Sequence, residues 1–187
     1  MEIGIYNLWI LFVPAYGIIW LTMIKINKKR GIPIEDPKLV GLYGKRQLFF
    51  GFLPHLLLVF MSFFVPIIIS TFFFLGTVLF LLGFVIDIVA ISSFAFDKNL
   101  LNTSGVYSIS RNPMYLGGFF MIAGLNLLGF SHSPESILFL SFSLFWCVGT
   151  HVSVLTEEGF LEGKYGNDYL QYKNRTSRYF GLKKNKN

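Results

Sequence analysis

From residue 48 to residue 96 the chain carries one formal charge, Asp87. Laid out as helix, that run would reach roughly 70 Å, about twice the thickness of a ~30 Å hydrocarbon core. It must therefore fold back on itself. Its only punctuation is Val65-Pro66-Ile67-Ile68-Ile69-Ser70-Thr71, where proline and the hydroxyl pair predict a hinge. Spans are expected over 48–68 and 72–94, joined by a tight turn. Similar apolar blocks predict spans over 3–24, 113–130 and 137–155. The last helix is expected to run on through Glu157, Glu158, Leu161 and Glu162 until Lys164-Tyr165-Gly166-Asn167-Asp168 breaks it. The fold class is all-α: a polytopic membrane helix bundle of about five transmembrane helices, with a short amphipathic helix near 168–175.

Composition supports this reading. Phenylalanine supplies 22 residues and charged residues only 14%, and the mean hydropathy is +0.59, a balance foreign to soluble domains. With the N-terminus outside and the C-terminus cytoplasmic, all 16 Lys and Arg fall in cytoplasmic segments, as the positive-inside rule requires. The basic loop over 25–46 then faces lipid head groups. The net charge of +6 comes with no nucleic-acid-binding motif, so membrane lipids are the expected partners and nucleic acid is not. The first block lacks a basic leader and a small-residue cleavage site, which predicts a retained span. The chain reads as one membrane domain over 1–187, with three spans in 1–96 and two spans plus a cytoplasmic tail in 97–187. Cys147 lies alone in an apolar block, and no His, Asp and Glu set has metal-ligand spacing.

Chemistry concentrates at two places. The stretch from Ser104 to Tyr115 is the one glycine-punctuated, hydroxyl-rich interruption between apolar blocks, and it ends Arg111-Asn112-Pro113-Met114-Tyr115. Asn112 suits a helix cap and Pro113 a first helical position. Arg111 beside the unpaired N–H groups of a helix start would make an anion site; equally, it could snorkel as a membrane anchor. Tyr107 and Tyr115 could serve as interfacial aromatics. On the last span His151 and Glu158 share a side, with Glu162 four residues on, whereas Glu157 points about 100° away. The bland alternative is a solvated helix end. In the five-span topology both places lie at one membrane face. Gly76, Gly83 and Ala90 recur every seven residues and give the third span a small-residue packing face. Asp87, four after Gly83, is expected on that face and turned inward, where it could pair with Arg111, bind a cationic group, or snorkel toward the cytoplasmic end about two turns away.

These residues carry a resemblance. Gly105-Val106-Tyr107, Arg111-Asn112-Pro113-Met114-Tyr115-Leu116-Gly117, Glu157-Glu158, Tyr165-Gly166-Asn167-Asp168-Tyr169-Leu170-Gln171-Tyr172 and Arg178 together resemble the isoprenylcysteine carboxyl methyltransferase / phospholipid methyltransferase superfamily. The match runs from Ser104 to Arg178, in order and spacing. It implies an integral membrane methyltransferase that uses S-adenosylmethionine and acts on a lipophilic or lipidated acceptor: an isoprenylcysteine carboxylate, a phospholipid amine, a thiol or similar. Arg111 and Glu158 are read as the catalytic positions, Glu158 over Glu157 because it shares a face with His151. The resemblance also implies cofactor contacts at Arg111, Asn112, Pro113, Tyr115, Glu157 and Glu158, facing the cytoplasm, with Tyr107 as a wall of the pocket; His151 joins the cofactor set from the face it shares with Glu158. Asn112 stands where the family usually has histidine. It can donate a hydrogen bond but cannot titrate near neutrality, so positioning is the role implied there. Two readings compete: an NADPH-dependent membrane reductase of the sterol type, which shares the Tyr-Gly-x-x-Tyr pattern, and a non-catalytic membrane scaffold.

Overall fold

The computed structural model describes residues 6–30, 53–94 and 101–180. Among them are six α-helices and no strand: α1 (Trp9–Arg30), α2 (Leu53–Ser62), α3 (Phe73–Phe94), α4 (Pro113–Leu128), α5 (Pro134–Tyr165) and α6 (Asn167–Arg175), with a 3₁₀ turn at Gly105–Ser108 before α4. Three of them, α1, α3 and α5, are long and apolar enough to cross a membrane. At 1.5 Å per residue the 22 residues of α3 rise about 33 Å, one full core thickness. The apolar helices α2 and α4 are shorter, with 10 and 16 residues. The expected basic loop beyond Arg30, the first residues of the second span, and Asp97 and Lys98 lie outside the described residues.

The hinge falls where proline and hydroxyls predict it, but it is wider. Helix α2 ends at Ser62 and α3 begins at Phe73. The intervening backbone pairs with the chain's start: the Leu8 amide donates to the Val65 carbonyl (2.9 Å) and the Ile67 amide to that of Tyr6 (2.8 Å). The Ile68 amide donates to the Leu128 carbonyl at the end of α4 (2.8 Å). These bonds tie the starts of α1 and α3 and the ends of α2 and α4 at one end of the bundle. They also correct the first span. It begins at Trp9, because Tyr6 to Leu8 are spent on the hinge, and it runs through Lys25 to Arg30. That stretch was expected as loop. Lys and Arg are good helix formers.

At the same end α5 starts as its sequence suggests. Ser133 accepts from the Ser136 amide (3.3 Å), and Pro134 takes the first helical position. Helix α5 continues to Tyr165, 32 residues in all, and Gly166, with φ of 54°, makes the break into α6. Such a φ favours glycine over any side chain bearing a Cβ. The core is apolar and lies midway, with Phe12, Leu58, Met121, Leu125 and Phe139 each at most 1% exposed.

Helices α3 and α4 touch through backbone. A methyl added at Gly124 would lie 2.6 Å from the Gly76 carbonyl oxygen, and one at Gly117 would lie 2.7 Å from that of Gly83. The seven-residue spacing on each helix brings both pairs into register, the small-residue packing common between membrane helices. Asp87 is buried against this seam, as its place four residues after Gly83 implied.

Candidate functional site

At the other end of the bundle the chain from Ser104 to Tyr115, the C-terminal part of α5 and the C-terminal segment converge. Ser110 and Ser177 form a parallel bridge, in which the Arg111 amide donates to the Ser177 carbonyl (2.9 Å). The Ser110 hydroxyl donates to the Arg178 carbonyl (3.1 Å). Two non-adjacent segments are thereby laid side by side, and Arg111 and Arg178 both turn toward α5.

Their common partner is Glu158, 3% exposed. Its carboxylate receives Arg111 through Nε (3.3 Å) and a terminal nitrogen (3.1 Å). It also receives the Asn112 amide nitrogen (3.0 Å) and the Arg178 guanidinium through Nε (3.2 Å) and a terminal nitrogen (3.0 Å). Two guanidinium groups thus face one carboxylate. The bond to Glu158 holds the Arg178 guanidinium above its ordinary range. The other terminal nitrogen of Arg111 donates to the Lys173 (2.7 Å) and Thr176 (3.0 Å) carbonyls. These carbonyls belong to the last turn and the cap of α6, where a cation is favoured. Four of the five N–H groups of Arg111 are therefore committed. The expectation that Arg111 stands open beside the helix start is corrected: it is buried, and it clasps the tail.

Asn112 differs from expectation in a similar way. It occupies the cap position of α4, yet its side chain makes no cap bond and reaches Glu158 and the Arg178 carbonyl instead. Pro113 takes the first helical position. One turn on, Tyr115 donates to Glu157. The adjacent acids therefore divide as their 100° separation requires, Glu158 to the clasp and Glu157 to Tyr115. His151 pairs through Nδ1 with the Tyr179 hydroxyl (2.8 Å), so the stripe His151–Glu158 is the track on which Tyr179 and Arg178 lie. Glu162 leaves the stripe for a half-exposed ion pair with Lys173 (2.8 Å). Tyr107 is buried beneath α6, and its carbonyl accepts from the Tyr172 hydroxyl (2.6 Å). Burial, and next the neighbouring Tyr107 and Tyr169, push the Tyr172 phenol up, so at neutral pH it is a donor. Tyr172→Phe should cost about 1 kcal/mol of stability by orphaning that carbonyl, readable as a lowered melting temperature.

Sequence reasoning missed Tyr179 and the structural share of Ser110. Nothing in spacing marks either. Tyr169 and Tyr172 had a signal: three apart on α6, they present both rings to one face, and both are buried.

A match to a family model now joins the geometry. The phospholipid methyltransferase model matches residues 71–168, from the start of α3 to the start of α6. The chain belongs to the phospholipid methyltransferase family. No curated protein was found to match it. Family membership makes methyltransferase activity the chain's chemistry, and its long apolar helices make it a membrane protein. The matched region contains Tyr107, Arg111, Asn112, Pro113, Tyr115, His151, Glu157 and Glu158, while Arg178 and Tyr179 follow it. An amino-acid-derived methyl donor bears a carboxylate and an ammonium. The residues fit such a group: Arg178, with a third of its side chain exposed, offers positive charge, and the partly buried Glu157 beside Tyr115 offers negative charge.

Proposed function

We propose that this chain is an integral membrane methyltransferase that takes its methyl group from S-adenosylmethionine and passes it to a lipophilic acceptor. What carries the reading is the convergence of Arg111, Asn112, Tyr115, Glu157 and Glu158 at one end of α4 and α5, in a member of the phospholipid methyltransferase family. When bound, the donor supplies a methyl group on a positively charged sulfur. Arg111 and Glu158 hold the catalytic positions, and Tyr107, Asn112, Pro113, Tyr115, His151 and Glu157 complete the cofactor set. In this assignment the part-exposed guanidinium of Arg178 faces the donor's carboxylate, Arg111 and Glu158 hold that guanidinium in place, and Glu157 faces the donor's ammonium or ribose hydroxyls. Asn112 orients the Glu158 carboxylate and moves no proton. Tyr107, Tyr169 and Tyr172 exclude water beneath α6, which in-line displacement needs more than acid–base help.

The proposal includes topology. Five spans with the N-terminus outside bring the clasp to the cytoplasmic face, beside the basic segments. A cleft of about 430 Å³ lined by Phe119, Cys147, Val148, His151 and Val152 opens on the outer surface of α4 and α5. Its apolar lining suits an acceptor that arrives from the bilayer.

Calorimetric titration of the purified protein tests this reading. S-adenosylhomocysteine should bind and NADPH should not. Binding of NADPH alone would make the chain a reductase, and binding of neither would make it a scaffold.

A further inference from the structure

The segment that follows α6 touches two sites. Thr176 is extended, with φ of −117° and ψ of 138°, and the Ser110–Ser177 bridge fixes the segment beside the start of α4. From there two neighbouring side chains part company. Arg178 reaches Glu158 (3.0 Å), and Tyr179 reaches His151 (2.8 Å). Glu158 and His151 share a face of α5 but stand two turns apart, about 10 Å along the helix. The Cα atoms of Arg178 and Tyr179 can be only about 3.8 Å apart. One short segment therefore holds the clasp with one side chain and a point nearer the middle of α5 with the next.

That second point belongs to the apolar cleft. His151 lines it together with Phe119, Cys147, Val148 and Val152, and Tyr179 meets two of these residues. Its ring stands edge-on to Phe119 of α4 (centroids 5.2 Å apart), and its hydroxyl pairs with His151 of α5. Tyr179 thus braces the cleft on both helices. Burial pushes its phenol up to about 12, so the phenol keeps its proton and the contact with His151 is a hydrogen bond, not an ion pair. Arg178 differs. A third of its side chain is exposed, and its charge is offered to the donor.

We propose that Tyr179 is a positioning residue that couples the two ligands: it holds His151 and Phe119 so that the cleft fits the acceptor's hydrocarbon chain, and its neighbour Arg178 ties that fit to the presence of the donor. The inference rests on the methyltransferase reading above. The cleft has an apolar lining and opens on the outer surface of α4 and α5, so a hydrocarbon chain enters it without stripping water from a polar group. A donor whose carboxylate engages Arg178 orders the segment, and a segment already ordered costs the second ligand less. Coupling of this kind is reciprocal.

The test uses the full chain reconstituted in phosphatidylcholine nanodiscs, as wild type, Tyr179→Ala and Tyr179→Phe. Cys147 is the chain's one cysteine and lines the cleft, so protection of its thiol from N-ethylmaleimide reports the affinity for octadecanol. Calorimetry reports the affinity for S-adenosylhomocysteine. In wild type each ligand should tighten the other by the same factor, about fivefold or more. Tyr179→Ala should weaken octadecanol about fivefold or more and abolish the coupling. S-adenosylhomocysteine alone should bind that variant within about twofold of wild type, because Arg111, Glu158 and Arg178 are untouched. Tyr179→Phe should keep part of the coupling through its ring on Phe119. Coupling intact in Tyr179→Ala, or absent from a wild type that binds both ligands, overturns the inference. So does a wild type whose Cys147 octadecanol fails to protect. A Tyr179→Ala variant that weakens both ligands alike and melts lower also overturns it, since Tyr179 would then be a packing element. Failure of S-adenosylhomocysteine to bind wild type would instead defeat the methyltransferase reading. Octadecanol protection would still judge Tyr179: weakened in Tyr179→Ala it upholds the brace, and unchanged it overturns it.

Discussion

Glu158→Gln is expected to undock the C-terminal segment. The substitution keeps the shape of the side chain and removes the one negative charge that Arg111, Asn112 and Arg178 share. Arg111 is then a buried guanidinium without a counter-charge, and breaking a buried pair from one side typically costs about 3–5 kcal/mol. Water can relieve that cost only if the tail lifts away. Amide hydrogen exchange over residues 167–180 should therefore rise sharply while exchange in α3 and α4 stays slow. S-adenosylhomocysteine affinity should fall with it. Lys173→Ala is the control, because its ion pair with Glu162 is partly solvated and such pairs contribute at most about 1 kcal/mol. Slow exchange in the tail of Glu158→Gln, indistinguishable from Lys173→Ala, would mean that the clasp does not hold the segment.

The same clasp marks how far the sequence could be read. The end of α5 was legible because helical periodicity separates Glu157 from Glu158 and aligns Glu158 with His151, and the structure sends each to a different partner. The hinge and the start of α5 were legible because proline and serine act locally. What stayed hidden was long-range pairing. Arg111 reads as an anion site from its neighbours in sequence, but Lys173 and Thr176, more than sixty residues away, supply carbonyls that bury it. Asn112 does occupy the cap position, but its side chain goes elsewhere for the same reason: a helix start was visible, and a carboxylate one helix away was not. The first span illustrates a third limit. Hydropathy has no means of seeing that Tyr6 and Leu8 are claimed by the hinge backbone, so the helix starts later and ends later than the apolar block.

Gly83→Leu should be the most damaging single change in the membrane region. A Cβ at residue 83 would lie 2.6 Å from the Met121 backbone nitrogen and 2.8 Å from Met121 Cγ. Met121 can swing its side chain, but the amide belongs to α4 and can retreat only if the helix does. Gly124 faces the same restriction, with the Phe80 nitrogen 2.5 Å from its added methyl. Overpacking typically costs about 1–3 kcal/mol where side chains absorb it. Backbone has no alternative rotamer, so here the loss should exceed that range. Parting α3 from α4 would also carry Asp87 off Gly117. Gly159→Ala and Gly163→Ala provide the contrast within one protein. A methyl at either meets nothing within 4 Å, and replacing a helical glycine by alanine at an open site gains about 0.5–1 kcal/mol. Thermal melts in one detergent should therefore move in opposite directions, down for Gly83→Leu and slightly up for the α5 variants. Equal melting temperatures across the set would mean that α3 and α4 are not held together by backbone contact.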